Sequence, residues 1–364
     1  MSNQMDYSRL GPIAALVANP NVTEVMVMGA GDIFVEVDGK IVLTPARFAD
    51  DEELMGVIRF VVESAGRRID AENPLCDARL ADGSRVHVAI PPVAVDGPLL
   101  NIRKFSRGPL DMTDLVRLGS CSRGAFEFLK SCVLARANIL VSGGAGSGKT
   151  TMLNVLSGYI PPDERIVTIE DAAELQLRQR HVARLEARPT PDGKPITIRS
   201  LVASSLCMRP DRLVVGEVRG PEALDMLQAM NTGHDGSMTT LHANKPRDAI
   251  ARIETLVLMA GYDLPVRAIR AQIVSAINVV VHLERLRDGT RKVMQISELV
   301  GMEDDVVTMQ EIFKFTRTGI DPEGRVIGRF APSGVRPRIL ERIQELGQAP
   351  PQEMEAFVAP TTDG

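Results

Sequence analysis

The eight residues Gly143-Gly-Ala-Gly-Ser-Gly-Lys-Thr150 constrain the fold more than any other part of the chain. They carry the spacing of a glycine, four residues, a second glycine, a lysine and a hydroxyl residue. Glycines at such a turn let successive backbone N–H groups point inward at an anion with no Cβ in the way. The apolar run Asn138-Ile-Leu-Val-Ser142 precedes the turn, and Thr151-Met-Leu-Asn-Val-Leu-Ser157 follows it with helical spacing. A buried strand, a glycine turn and a helix whose N-terminal dipole faces that turn make a phosphate cradle. Its candidate residues are Gly143, Gly144, Ala145, Gly146, Ser147, Gly148, Lys149, Thr150 and Thr151. Lys149, the single lysine between Lys130 and Lys194, can reach the β- and γ-phosphates, and the Thr150 hydroxyl can ligate Mg²⁺. The pattern predicts a bound nucleoside triphosphate.

A cradle alone does not hydrolyse. Hydrolysis also needs a group to orient water, a Mg²⁺ shell and cations for the γ-phosphate. Strand candidates Ile139–Ser142, Arg165–Ile169, Leu213–Val215, Ser237–Thr240 and Val279–Leu283 alternate with helical patterns, which predicts a parallel α/β sheet. The C-terminal ends of such strands share one crevice. Glu170 and Asp171 end the second strand, and either can hold Mg²⁺ through water; Asp171 can equally cap a helix. Glu217, directly after Gly216, ends the third and is assigned as general base or water-positioning residue. His234 and His242 bracket the fourth. Spacing leaves two readings of them open, a structural pair or a γ-phosphate contact from His242.

Upstream, residues 1–105 form a smaller mixed α+β domain. Strands are expected at Val22–Gly29, at Asp32–Leu43 around an Asp38-Gly39 turn, at Ser84–Ile90 and at Leu99–Phe105. Asp50 and Glu53 suggest a capping box ahead of the stripe Leu54, Val57, Ile58, Val61 and Val62, with Gly66 near the helix end. Residues 106–117 have linker chemistry, 118–315 hold the nucleotide-binding domain, and 316–364 are a C-terminal extension of short, glycine-punctuated strands with a frayed tail. A further exposed turn is expected at Asp192-Gly193.

With 364 residues, 44% hydrophobic and 24% charged, the chain can build two cored domains. A formal charge of −5 gives no support to nucleic acid as a partner. The longest apolar runs fall short of a bilayer span and the first residues lack a signal-peptide pattern, so a cytoplasmic protein is expected. Cys76, Cys121, Cys132 and Cys207 form no CxxC pair, which argues against structural zinc.

Four segments in order, Gly143–Thr150, Ile166–Glu174, Leu213–Glu217 and Gly233–Asn244, resemble the Walker A, Asp, atypical Walker B and His boxes of the secretion ATPases. That superfamily powers type II secretion, type IV pili and type IV secretion. The resemblance implies a RecA-like ATPase domain after a PAS-like N-terminal domain, ATP and Mg²⁺ as cofactors, a homo-hexamer, and His242 as a γ-phosphate contact. It also implies arginine fingers from the N-terminal domain, and the segments Arg85–Pro91 and Asn101–Phe105 make Arg85 and Arg103 the candidates. Phe313–Phe330 and Gly334–Pro337 are similar to the Tad/Flp pilus assembly ATPases, the CpaF-like branch. The expected function is a motor for pilin assembly, attached to the inner membrane through polytopic platform proteins. Alternatives are a conjugation or type IV secretion ATPase of the VirB class, and an ATP-gated scaffold with little turnover.

Overall fold

The computed structural model describes residues 7–37, 39–80, 82–104, 110–188 and 194–347. The chain divides into two units, Met1–Gly108 and Pro109–Gly364. Asp38, Phe105, the Asp192-Gly193 turn and the tail from Gln348 lie outside the described residues.

In the first unit a 3₁₀ turn, Tyr7–Ile13, leads into α1 (Ala14–Ala18), β1 (Val22–Met28), β2 (Asp32–Val37), β3 (Lys40–Leu43) and α2 (Asp51–Ser64). Strands β4 (Leu75–Arg79), β5 (Arg85–Ala89) and β6 (Leu99–Arg103) complete a sheet of order β3-β2-β1-β6-β5-β4. Alternation decides its faces: Val25, Val27, Val86, Val88, Leu100 and Ile102 are buried in one core with Leu54, Ile58 and Val61 of α2. The Asp50 side chain caps α2 by accepting from the N–H groups of Glu52 and Glu53. Glu53 reaches Ala49 N at 2.7 Å, one residue earlier than the expected box. Gly66 supplies the positive φ of 69° that ends the helix, with Arg67 N bonding Val62 O.

The second unit begins with α3 (Met112–Arg117) and α4 (Arg123–Leu134). Helix α3 occupies part of the expected linker because Asp111 and Asp114 form a reciprocal capping box and Leu115 is buried. Then come β7 (Ile139–Gly143), α5 (Lys149–Ser157), β8 (Ile166–Glu170), β9 (Val182–Glu186), α6 (Ile198–Leu206), β10 (Arg212–Val215), α7 (Glu222–Asn231) and β11 (Met238–His242). Helices α8 (Pro246–Leu258) and α9 (Val266–Ala276) precede β12 (Val279–Arg285), β13 (Arg291–Glu303), β14 (Val306–Ile320), β15 (Val326–Pro332) and α10 (Ile339–Glu345). The nine strands run β15-β14-β13-β12-β7-β11-β10-β8-β9. From β12 to β9 they are parallel; β13, β14 and β15 are added antiparallel.

Helices cover both faces, so the central strands are buried on both sides and read as apolar runs. Ile139 and Val141 of β7 enter the core holding α4, α5 and α10, while Leu140 enters the one holding α6 to α9. Residues 316–347 are less an appendage than expected. Strand β14 continues through them, Phe313 stacks on Phe330 at 5.8 Å, and Ile339, Leu340 and Ile343 lie in the first of these cores. The strands there are long, 13 and 15 residues for β13 and β14. A mostly parallel α/β unit with helices on both faces, preceded by a smaller α+β unit, is the fold class of this protein.

Candidate nucleotide site

The parallel strands deliver four of the candidate segments to one edge. Strand β7 ends in the glycine turn, β8 ends at Glu170, β10 leads through Gly216 to Glu217, and β11 ends at His242. Register fixes their relative heights: Gly143 faces His242 on one side and Leu283 of β12 on the other. The Gly216–Glu217 bend is pinned from both flanks. Gly216 N donates to Ile169 O at 2.8 Å, Val218 N to Thr240 O at 3.0 Å, and Thr240 Oγ1 to Gly216 O at 2.7 Å.

At Gly143 nothing larger than glycine fits. A Cβ on Gly143 would stand 2.4 Å from Leu283 O and 2.5 Å from Ser147 Oγ. Gly146 and Gly148 have φ of 65° and 94°, the left-handed region that suits glycine. Gly148 caps α5, so Lys149, Thr150 and Thr151 form the first turn of a helix aimed at the cradle. Lys149 is 7% exposed, and its Nζ donates to Gly144 O at 2.9 Å. Ser147 Oγ is buried without a hydrogen-bond partner. These features fit a nucleotide's phosphates, and the Thr150 hydroxyl is the group at the helix start that could reach a Mg²⁺ on them. Among the described residues no group of three His, Cys, Asp or Glu side chains could hold a metal alone.

A chain of polar contacts leads away from Lys149. His242 Nε2 is 3.4 Å from Lys149 Nζ and 3.1 Å from Glu217 Oε1. The latter separation is an ion-pair distance without hydrogen-bond alignment. Glu217 Oε2 accepts from Arg219 Nη2 at 2.8 Å, and Arg219 Nη1 is 3.6 Å from Asp171. Burial first, then the Lys149 charge, holds His242 below the usual histidine range. Its neutral ring can therefore accept from one neighbour and donate to the other.

Glu170 has a more structural setting than expected. Its Oε1 accepts from Glu174 N and Leu175 N, both at 2.8 Å, while Oε2 is buried without a partner. Burial raises this carboxyl above the usual range despite those two backbone bonds. A Cβ on Gly216 would come within 3.0 Å of Glu170 Cγ, which explains glycine ahead of Glu217. Asp171 begins no helix; it is exposed and faces Arg219. The two histidines part company: His234 lies before β11, its Nδ1 3.3 Å from Ala229 O, whereas His242 reaches the crevice.

Arg219, Glu222, His282 and Arg79 went unassigned in the sequence. Arg219 closes on Glu217, and the buried Glu222 fixes it by accepting from Arg219 N at 2.7 Å and Gly220 N at 2.8 Å. His282, isolated in the apolar strand Val279–Leu283, is buried with Nδ1 2.9 Å from Ser142 Oγ, directly beneath the cradle. In the first unit, Arg85 and Arg103 face each other across β5 and β6, and Arg79 of β4 faces Arg85. That row lies opposite the core face and continues onto β1, where Glu24 faces Arg103.

A sequence profile described as "Type II/IV secretion system protein" matches residues 6–321. The chain is 35% identical over 335 residues to a Mycobacterium tuberculosis protein assigned to conjugal transfer, covering 85% of this chain and 95% of the other. It is 40% identical over 247 residues to the type IV secretion system protein PtlH of Bordetella pertussis, covering 60% of this chain and 72% of that one. In fold it resembles the ATPase DotB of Yersinia pseudotuberculosis, with a TM-score of 0.60 at 17% identity over 84% of this chain and 81% of that one. With its cradle, carboxylate and histidine in place on one sheet edge, the chain belongs to the type II/IV secretion system protein family.

Proposed function

We propose that this chain is a Mg²⁺-dependent ATPase that drives a secretion-type machine. The observation that carries the reading is the run of contacts Lys149–His242–Glu217–Arg219 on one sheet edge, beside a glycine turn whose first residue, Gly143, has no room for a Cβ. Lys149 and the α5 N-terminus grip the phosphates. Glu217 orients or deprotonates the attacking water, while Arg219 keeps its carboxylate aimed. His242, within reach of both Lys149 and Glu217, touches the γ-phosphate and registers its loss. The Thr150 hydroxyl and, through water, Glu170 would hold a Mg²⁺, which would supply neutralisation of phosphate charge. Arg85 and Arg103, which face each other across β5 and β6, are the arginine fingers.

The working form is a closed ring of six copies on the cytoplasmic side of the inner membrane, docked on polytopic platform proteins. No described helix is long and apolar enough to cross a membrane, which fits attachment through partners. The run Phe313–Phe330, which forms most of β14 and β15, supports a Tad/Flp-type pilus motor. The relatives' names favour a second reading, a conjugation or type IV secretion ATPase. Sedimentation with phosphate-release assays across a dilution series tests the ring: specific activity should rise steeply with concentration. Full activity in a strictly monomeric fraction would leave an ATPase but no ring. Loss of surface pili against loss of DNA or toxin export in a deletion strain separates the two machines.

A further inference from the structure

The hairpin between β12 and β13 lies against the glycine turn, and its arginines have no place in the chemistry above. Arg285 and Arg291 face each other in register across the two strands. Arg291 Nε donates to Gly146 O at 2.8 Å, and its Cδ is 3.4 Å from where a Cβ on Gly148 would stand. Arg285 Nη1 is 3.3 Å from the equivalent position on Gly146. The hairpin itself is anchored. Asp288 accepts from Thr290 N and Oγ1 at 2.9 and 2.7 Å and from Val326 N of β15 at 2.7 Å.

We propose that Arg291 is a positioning residue for phosphate binding, acting as a latch on the Gly146 carbonyl. A trans peptide points its C=O and its N–H in opposite directions. Holding Gly146 O outward on the hairpin therefore turns the Ser147 N–H inward. That N–H reaches Gly144 O at 3.4 Å, the same oxygen to which Lys149 Nζ donates at 2.9 Å. The two donors thus converge where phosphate oxygens would replace a carbonyl. Glycines on either side of Ser147 leave this peptide free to flip. A guanidinium on the far side removes that freedom before the nucleotide arrives, which is preorganisation of a binding site. The inference rests on the nucleotide reading of the cradle.

Titration of the full chain with fluorescent ADP and ATP tests it, using Arg291→Ala and Arg291→Gln. Glutamine places an N–H at the same number of bonds from Cα as Arg Nε, but carries no charge. A latch acts on the cradle rather than on the γ-phosphate. Arg291→Ala should therefore weaken ADP and ATP alike, by about tenfold, the scale of one hydrogen bond to a charged group. Arg291→Gln should stay within about threefold of the parent. Parental affinity in Arg291→Ala would overturn the latch. So would equal weakness of both variants, since charge on the phosphates would then be the cause. Arg291 is exposed, so matching thermal melts of parent and variants are expected. Tight ADP binding by the parent, lost in Lys149→Ala, tests the nucleotide reading separately.

Discussion

Glu217→Gln separates gripping from catalysis. The two carboxylate oxygens have distinct neighbours: Oε2 accepts from Arg219 Nη2 at 2.8 Å and Oε1 stands 3.1 Å from His242 Nε2. Glutamine keeps the volume, and its carbonyl oxygen keeps the Arg219 contact, so fold and nucleotide binding should survive. It cannot take a proton. Removing a general base is worth about 10²–10⁴ in rate, which at about 1.4 kcal/mol per decade adds roughly 3–5 kcal/mol to the barrier. Lys149→Ala is the contrasting change, because it deletes a nearly buried ammonium from the cradle and should abolish tight ATP binding. Phosphate release at saturating ATP, beside titration with labelled ATP, reads both quantities. Equal loss of nucleotide affinity in the two variants, or parental turnover in Glu217→Gln, would remove Glu217 from the chemistry.

Arg85→Ala and Arg103→Ala should leave nucleotide affinity within about tenfold of the parent and cut turnover far more, since arginine fingers are worth about 10³–10⁵ in rate; parental turnover at saturating ATP would make either a surface residue. Gly143→Ala should abolish nucleotide binding in the same titration, because its Cβ meets the Leu283 carbonyl at 2.4 Å. Arg212→Met takes from Glu164 the bonds from Arg212 Nε at 2.5 Å and Nη2 at 3.0 Å, leaves it Arg136 Nη2 at 3.5 Å, and should cost about 3 kcal/mol or about 6–12 °C in Tm. Adding Glu164→Leu should recover part of that loss in the same melt. Burial holds His282 below the usual histidine range, so it stays neutral when folded and takes a proton near pH 6.5 when unfolded. Its stabilisation is complete above that pH and falls as the pH drops below it, by up to about 1.4 kcal/mol per unit. His282→Gln should flatten this slope in urea melts between pH 7 and 5.5.

Whatever depended on local pattern was legible in the sequence. Gly143–Thr150 has one workable backbone path, and the apolar runs ending at Ser142, Ile169, Val215 and Thr240 could only be parallel strands sharing a crevice. The remainder depended on partners distant in sequence. Nothing local shows that the N–H groups of Glu174 and Leu175 fold back on Glu170 Oε1, so its buried setting could not be read in advance. Strand β9 has a half-polar pattern suited to a sheet edge, and only pairing with β8 identifies it. Residues 316–347 looked detached because the apolar surfaces that receive Phe330 and Ile339, Phe313 and α4, belong to other elements. Arg79 could not be grouped with Arg85 and Arg103 before the register of three strands was known.

Strand order has a kinematic consequence. Strand β11 lies between β7, which carries the cradle, and β10, which carries Glu217. Cradle and carboxylate are thus two strand spacings apart, roughly 10 Å, a gauge set by backbone ladders rather than by side chains. Widening that gauge would shear Met238 and Thr239 from both neighbours at once. The site therefore has a rigid frame, and its moving parts must be the pieces mounted beyond the strand ends: the Lys149 rotamer, the His242 ring and the Arg219 turn. Whatever stroke the molecule delivers starts there, as small displacements on a fixed bed.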